Sequence, residues 1–131
     1  MRIVVDSSVL VAIATFEADR AAYMQAMEAA AEILISPMNY VEAGIVLTGK
    51  GVFVSRDSFD AWLADYRVMI ASEPVVDAVA LDAYLRFGKG HHPARLNLAD
   101  CFAYALAKSL DAPLLYKGDD FLLTDVRSAL D

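Results

Sequence analysis

Apolar positions along the chain fall into short runs that alternate with longer stretches of helical spacing. Ile3, Val4 and Val5 form a β-branched run, and Ser7-Ser8 then supply N-cap candidates for an apolar turn or two reaching Ile13. A strand is thus predicted to run straight into a helix. From Glu17 to about Ala31, Tyr23, Ala26, Met27 and Ala30 recur on one face, the spacing of an amphipathic helix. Ile33-Leu34-Ile35 is the next short strand. Ser36-Pro37 gives a cap and a proline at the first helical position, opening a helix that runs to about Gly49. Between Ser55 and Ala71 the positions Phe59, Trp62, Leu63, Tyr66, Met69 and Ile70 predict a further helix, and Pro74-Val75-Val76 a third strand. A helix follows from Asp77 to about Phe87, then a loop from Gly88 to Leu96. Asn97 caps the most apolar helix, Leu98 to Leu110, and Leu114-Leu115-Tyr116 is a final strand ending at Lys117-Gly118-Asp119-Asp120.

Strands separated by helices imply right-handed crossovers and a parallel sheet with helices on both faces, an α/β fold. Length and composition agree with this. The 131 residues suit one domain spanning residues 1–131, and 58% hydrophobic against 22% charged residues can build a core. The lone Cys101 excludes an internal disulfide and is simplest in a reducing cytosol. Asp6 splits the apolar start, and the run from Val9 to Phe16 is far below the roughly 20 residues that span a bilayer, so a cytoplasmic protein without a membrane segment is expected. A net charge of −7 argues against coating nucleic acid by bulk attraction, although not against a local basic patch.

In such a sheet the carboxyl ends of the strands share one edge with the amino ends of the following helices, where ligands bind. Four acidic positions fall on that edge, with the adjacent pair Asp119-Asp120 taken as one. Asp6 ends the first strand, Asp119 and Asp120 follow the last one, and Asp100 lies in the first turn of the helix capped by Asn97. Glu42 lies about five residues into the Ser36-Pro37 helix, roughly 7 Å along its axis, and its long side chain leans back toward the helix start. These acids stand among Val, Ile, Leu, Phe and Tyr, and no Lys or Arg lies within four residues of Glu42 on its helix. Two carboxylates about 4 Å apart repel by about 4 kcal/mol at an effective dielectric near 20, so several together need a cation or shared protons. An all-oxygen set without histidine suits Mg²⁺ or Mn²⁺ better than zinc. Capping by Asp6 and Asp100 and a turn at Asp119-Asp120 would explain three of the four singly. Glu42 has no such local explanation.

A strand ending in Asp6-Ser7-Ser8, a Ser36-Pro37 helix carrying Glu42, the run Leu96-Asn97-Leu98-Ala99-Asp100-Cys101, and Leu115-Tyr116-Lys117-Gly118-Asp119-Asp120-Phe121 together resemble PIN-domain ribonucleases. More narrowly they resemble VapC-type toxins of toxin-antitoxin pairs. The resemblance covers essentially the whole chain and rests on the order and spacing of the motifs. It implies an α/β/α sandwich around a parallel sheet of four or five strands. It also implies metal-dependent cleavage of RNA, with tRNA or rRNA as substrate, by Asp6, Glu42, Asp100 and a fourth acid. Counting from the strand end gives Asp119 as that acid, and counting back from Phe121 gives Asp120. Ser8 matches the small hydroxyl residue beside the first acid. A VapB-type antitoxin and a second copy of the chain are the implied partners.

Two further stretches have candidate roles. Arg86 to Arg95 contains no acid and both histidines, and Arg86, Lys89, His91, His92 and Arg95 could hold an RNA backbone; a solvated loop explains them equally well. Phe59, Trp62, Tyr66 and Met69, with Tyr23, Met24 and Met27, read first as core and secondarily as a partner groove. Competing readings are a receiver-like signalling domain, a haloacid-type phosphatase and a non-catalytic RNA-binding module. The first wants a phospho-accepting Asp after a middle strand, where this chain has Ser36-Pro37, and the second wants an Asp at Ser8.

Overall fold

The computed structural model describes residues 1–130. Four parallel strands, β1 (Arg2–Val5), β2 (Glu32–Ile35), β3 (Val68–Ile70) and β4 (Leu114–Leu115), lie in the order β3-β2-β1-β4. Helices α1 (Ser7–Ala14) and α2 (Arg20–Ala29) connect β1 to β2, and α3 (Pro37–Gly49) and α4 (Arg56–Asp65) connect β2 to β3. The chain then reverses its direction across the sheet, passing through α5 (Asp77–Phe87) and α6 (Leu98–Ser109) to β4 on the far side of β1. Right-handed crossovers, the rule for parallel units, put α5 and α6 on the opposite face from α1 to α4 after that reversal, in keeping with the two core clusters.

The strand side chains divide accordingly. Ile3, Val5, Ile33, Ile35 and Leu115 pack with Leu10, Ile13, Met27, Leu47 and Phe59 from α1 to α4. Val4, Leu34 and Leu114 point the other way, into a second cluster with Ala80, Ala83 and Phe87 of α5 and the alanine-rich face of α6. This is the period-two alternation of strands covered on both sides. Full burial of each Leu, Ile or Phe contributes about 1.5–3 kcal/mol, so the two clusters hold the sheet in register. The outer edge of β4 is covered by the C-terminal segment, where Leu114 N donates to Arg127 O at 2.8 Å and Ala129 N to Leu114 O at 2.9 Å.

The third strand is Val68–Ile70 and not Pro74–Val76, and the helix before it ends at Asp65 rather than near Ala71. Tyr66 closes α4, and Arg67 takes a left-handed conformation, φ 61°, that stops helical propagation. The Arg67 guanidinium then donates to the carbonyls of Met27 and Ala30, fixing the turn so that Val68, Met69 and Ile70 pair with Ile33, Leu34 and Ile35. Met69 and Ile70 mimic helical spacing by coincidence. Pro74 has no N–H to give a ladder, and Val75 is exposed. Of the aromatic and methionine stripe, Phe59, Tyr23 and Met27 are buried core. Trp62, Tyr66 and Met24 pack half-buried against it, and Met69 is exposed on the β3 edge.

Candidate active site

The reversal of winding opens a crevice between the carboxyl ends of β1 and β4, where a doubly wound sheet receives its ligand. A cleft of about 380 Å³ lies there, lined by Asp6, Ser7, Ser8, Val11, Glu17, Glu42, Val46, Asn97, Asp100 and Lys117. Three of the acids singled out from sequence meet in it, from β1, α3 and α6.

Asp6 follows β1 directly and caps α1. Its Oδ2 accepts from Ser8 N at 3.1 Å and Ser8 Oγ at 2.5 Å, and its Oδ1 accepts from Asn39 Nδ2 at 3.4 Å. Asp6 as a whole is 4% exposed. Burial pushes its pKa up to about 6, opposed by the Ser8 hydrogen bonds and assisted by the negative charge of Glu42. Glu42 projects from α3 and accepts a hydrogen bond from the Ser7 hydroxyl. Asp100 is in the first turn of α6, where Asn97 Oδ1 accepts from Asp100 N at 2.9 Å and Asp100 Oδ2 accepts from Asn97 N at 3.0 Å. Burial raises the Asp100 pKa to about 7, against the Asn97 hydrogen bond, and the charges of Asp6, Asp120 and Glu42 push the same way. Asp119 and Asp120 are both exposed at the start of a short 3₁₀ turn, Asp120–Leu123, outside the cleft lining. The charge of Asp120 is among those that raise the Asp100 pKa.

Sequence reasoning missed Asn39. Its side chain is fully buried, and its amide donates to Asp6 and, at 3.1 Å, to the Ala99 carbonyl, so α3 is tied to both β1 and α6. Ser36 caps α3 by accepting from Asn39 N at 3.1 Å, and its hydroxyl also contacts the Asn39 side chain. The available signal was a polar residue three positions before Glu42, hence on the same helix face. Lys117 is also in the cleft wall, with its ammonium 2.7 Å from Glu17 and 3.2 Å from Asp19.

The basic loop lies outside the cleft lining. Arg86 pairs with Asp125 at 3.7 Å and lies over the Phe87 ring. His92 Nδ1 accepts from Ala94 N at 3.0 Å with its ring edge on Phe87, and His91 packs on Tyr84. Lys89, His91 and Arg95 are exposed.

Whether these residues fit a divalent cation can be judged from the donor set. Among the described residues no three His, Cys, Asp or Glu side chains already converge as a ligand cage. Glu42 and Asp100 each spend an oxygen on a neighbour, Ser7 and Asn97. Yet Asp6, Glu42 and Asp100 share one cleft, the negative charge of Glu42 acts on both aspartates, and no salt bridge to Lys, Arg or His neutralises any of the three among the described residues. Hard oxygen donors with unmet negative charge fit Mg²⁺ or Mn²⁺.

Comparison with known proteins bears on the family and the fold. The family model of the PIN domain matches residues 3–126. The chain is 40% identical over 132 residues to ribonuclease VapC28 of Mycobacterium tuberculosis, covering 98% of each. It is 41% identical over 125 residues to ribonuclease VapC of Mycolicibacterium smegmatis, covering 94% of this chain and 96% of that one. Among solved structures, the M. tuberculosis VapC20 toxin, described as cleaving the sarcin-ricin loop, superposes with a TM-score of 0.70 at 17% identity, over 95% of this chain and 98% of that chain. A Pyrobaculum aerophilum protein superposes with a TM-score of 0.61 at 18% identity, over 97% of this chain and 90% of that chain. A near-complete family match, relatives at about two-fifths identity and a shared fold place the chain in the PIN-domain family, as a VapC-type toxin.

Proposed function

We propose that this protein is the toxin of a toxin-antitoxin pair, an endoribonuclease that hydrolyses RNA phosphodiester bonds with Mg²⁺ or Mn²⁺. Asp6, Glu42 and Asp100 would hold the ion, with Asp119 or Asp120 as a fourth acid. Asp120 is favoured because its charge reaches Asp100. The observation that carries the reading is the meeting of Asp6, Glu42 and Asp100, from three elements far apart in sequence, in one cleft with no cation paired to any of them among the described residues. When bound, the ion supplies an acidified water and neutralises charge growing on the phosphate oxygens.

The chain's own residues do the rest. Ser8 holds one oxygen of Asp6 through its N–H and hydroxyl, and Asn39 holds the other, so the carboxylate is oriented before any ligand arrives. Glu42 and Asp100 are the acids available to accept a proton from water in the cleft. Lys89, His91 and Arg95, which are exposed, would contact RNA phosphates outside the cleft, while Arg86 and His92 hold the loop through Asp125 and Ala94.

Relatives named VapC support a VapB-type antitoxin as partner. Exposed Val41 and Ile45 on α3, with Leu81 and Leu85 on α5, support a homodimer. A cytoplasmic location accords with a single buried cysteine and with the lack, among the described residues, of any helix long and apolar enough to cross a membrane. Induced expression in a bacterial host tests the proposal: growth arrest with new, discrete tRNA or rRNA ends is expected for the wild type and not for Asp6→Asn. Equal arrest by both proteins would contradict it.

A further inference from the structure

Lys117 is the one cation among the residues lining the acidic cleft, and metal-assisted hydrolysis gives its side chain no task. Its backbone is beside the acids, because Lys117 N donates to Ser8 Oγ at 3.1 Å and that hydroxyl donates to Asp6. Its ammonium nevertheless turns to the connection between α1 and α2, where it pairs with Glu17 and Asp19, and the side chain stays 36% exposed. Glu17 lines the same cleft. An unrestrained ammonium here would be drawn onto Asp6, Glu42 and Asp100 and compete with a divalent ion, and two carboxylates outside that cluster hold it off. Exposed ion pairs are weak, so an arriving phosphate can take the ammonium over at little cost. RNA is a polyanion entering an acidic cleft in a chain of net charge −7, and the basic loop lends no side chain to the cleft wall.

We propose that Lys117 is the residue that grips the RNA phosphate inside the cleft, parked on Glu17 and Asp19 until RNA enters. This rests on the ribonuclease reading above.

The test separates a phosphate contact from a mere tether of the α1–α2 connection. Steady-state cleavage of bulk tRNA and rRNA in saturating Mn²⁺ would be compared with binding of a fluorescein-labelled mixed-sequence RNA in Ca²⁺. Lys117→Gln should raise KM and Kd about tenfold with kcat near wild type, and lower the salt slope of binding by about one. Lys117→Arg should restore both. Lys50→Gln, the same charge change at the far end of α3, should leave them unchanged. In a Glu17→Gln, Asp19→Asn background the tether is already gone, so Lys117→Gln should still cost about tenfold. No further loss in that background, or a loss matched by Lys50→Gln, would overturn the proposal. A wild-type protein that cleaves nothing would defeat the ribonuclease reading separately, and the binding comparison would still decide Lys117.

Discussion

Asp6 is almost sealed from water and the half-buried Asp100 lines the same cleft, so burial makes each easier to protonate than an ordinary Asp. Their folded pKa values, about 6 and about 7, lie above the ordinary Asp value of 3.8. A group raised on folding stabilises the fold below its unfolded pKa, and that contribution is lost as pH rises through the folded value. The metal-free protein should therefore melt at a higher temperature at pH 5 than at pH 8, as calorimetry would show, and saturating Mn²⁺ should shrink the difference. Asp6→Asn removes one buried charge while keeping an acceptor for Ser8. It should raise the metal-free melting temperature at pH 8 and abolish the stabilisation by Mn²⁺. At this scale Asp6, Glu42 and Asp100 were legible because an acid among apolar residues needs a reason. Asn39 was hidden because its hydrogen bonds to Asp6 and Ala99 join residues 33 and 60 positions away. Asp119 against Asp120 depends on how a short turn aims two neighbouring side chains, which spacing alone does not fix.

Helix starts carry the site at the scale of elements. The first turns of α1, α3 and α6 bring Asp6, Asn39 and Asp100 to the same sheet edge, each through its own cap. Asn97→Ala would remove the α6 cap and cost about 1 kcal/mol in chemical denaturation. Asn39→Ala would remove the buried hydrogen bonds to Asp6 and to the Ala99 carbonyl and cost about 1–3 kcal/mol, with a loss of metal affinity because Asp6 would no longer be held from α3. Most elements were readable from periodicity and caps, Ser36-Pro37 and Asn97 above all. The misplaced third strand shows where that reading stops. Val68-Met69-Ile70 continues the α4 spacing in sequence, and it is Arg67, in a left-handed conformation and bonded to carbonyls around the end of α2, that turns it into a strand. A tertiary contact outweighed a local pattern.

At the scale of the molecule, charge is distributed with a purpose. A chain of net charge −7 concentrates acids in its cleft and keeps exposed Lys89 and Arg95 in the loop that leads into α6. Charge reversal at Lys89 and Arg95 should weaken RNA binding and flatten its salt dependence, with thermal stability unchanged, since neither side chain is buried. Whether Asp6, Glu42 and Asp100 form one cation-dependent ribonuclease site is decided with purified protein. Wild type and Asp6→Asn would be incubated with tRNA and rRNA in Mg²⁺, Mn²⁺ or EDTA and the new RNA ends mapped. Discrete cuts that require both the metal and Asp6 are the predicted result. Cleavage that persists in EDTA or in Asp6→Asn would rule this site out.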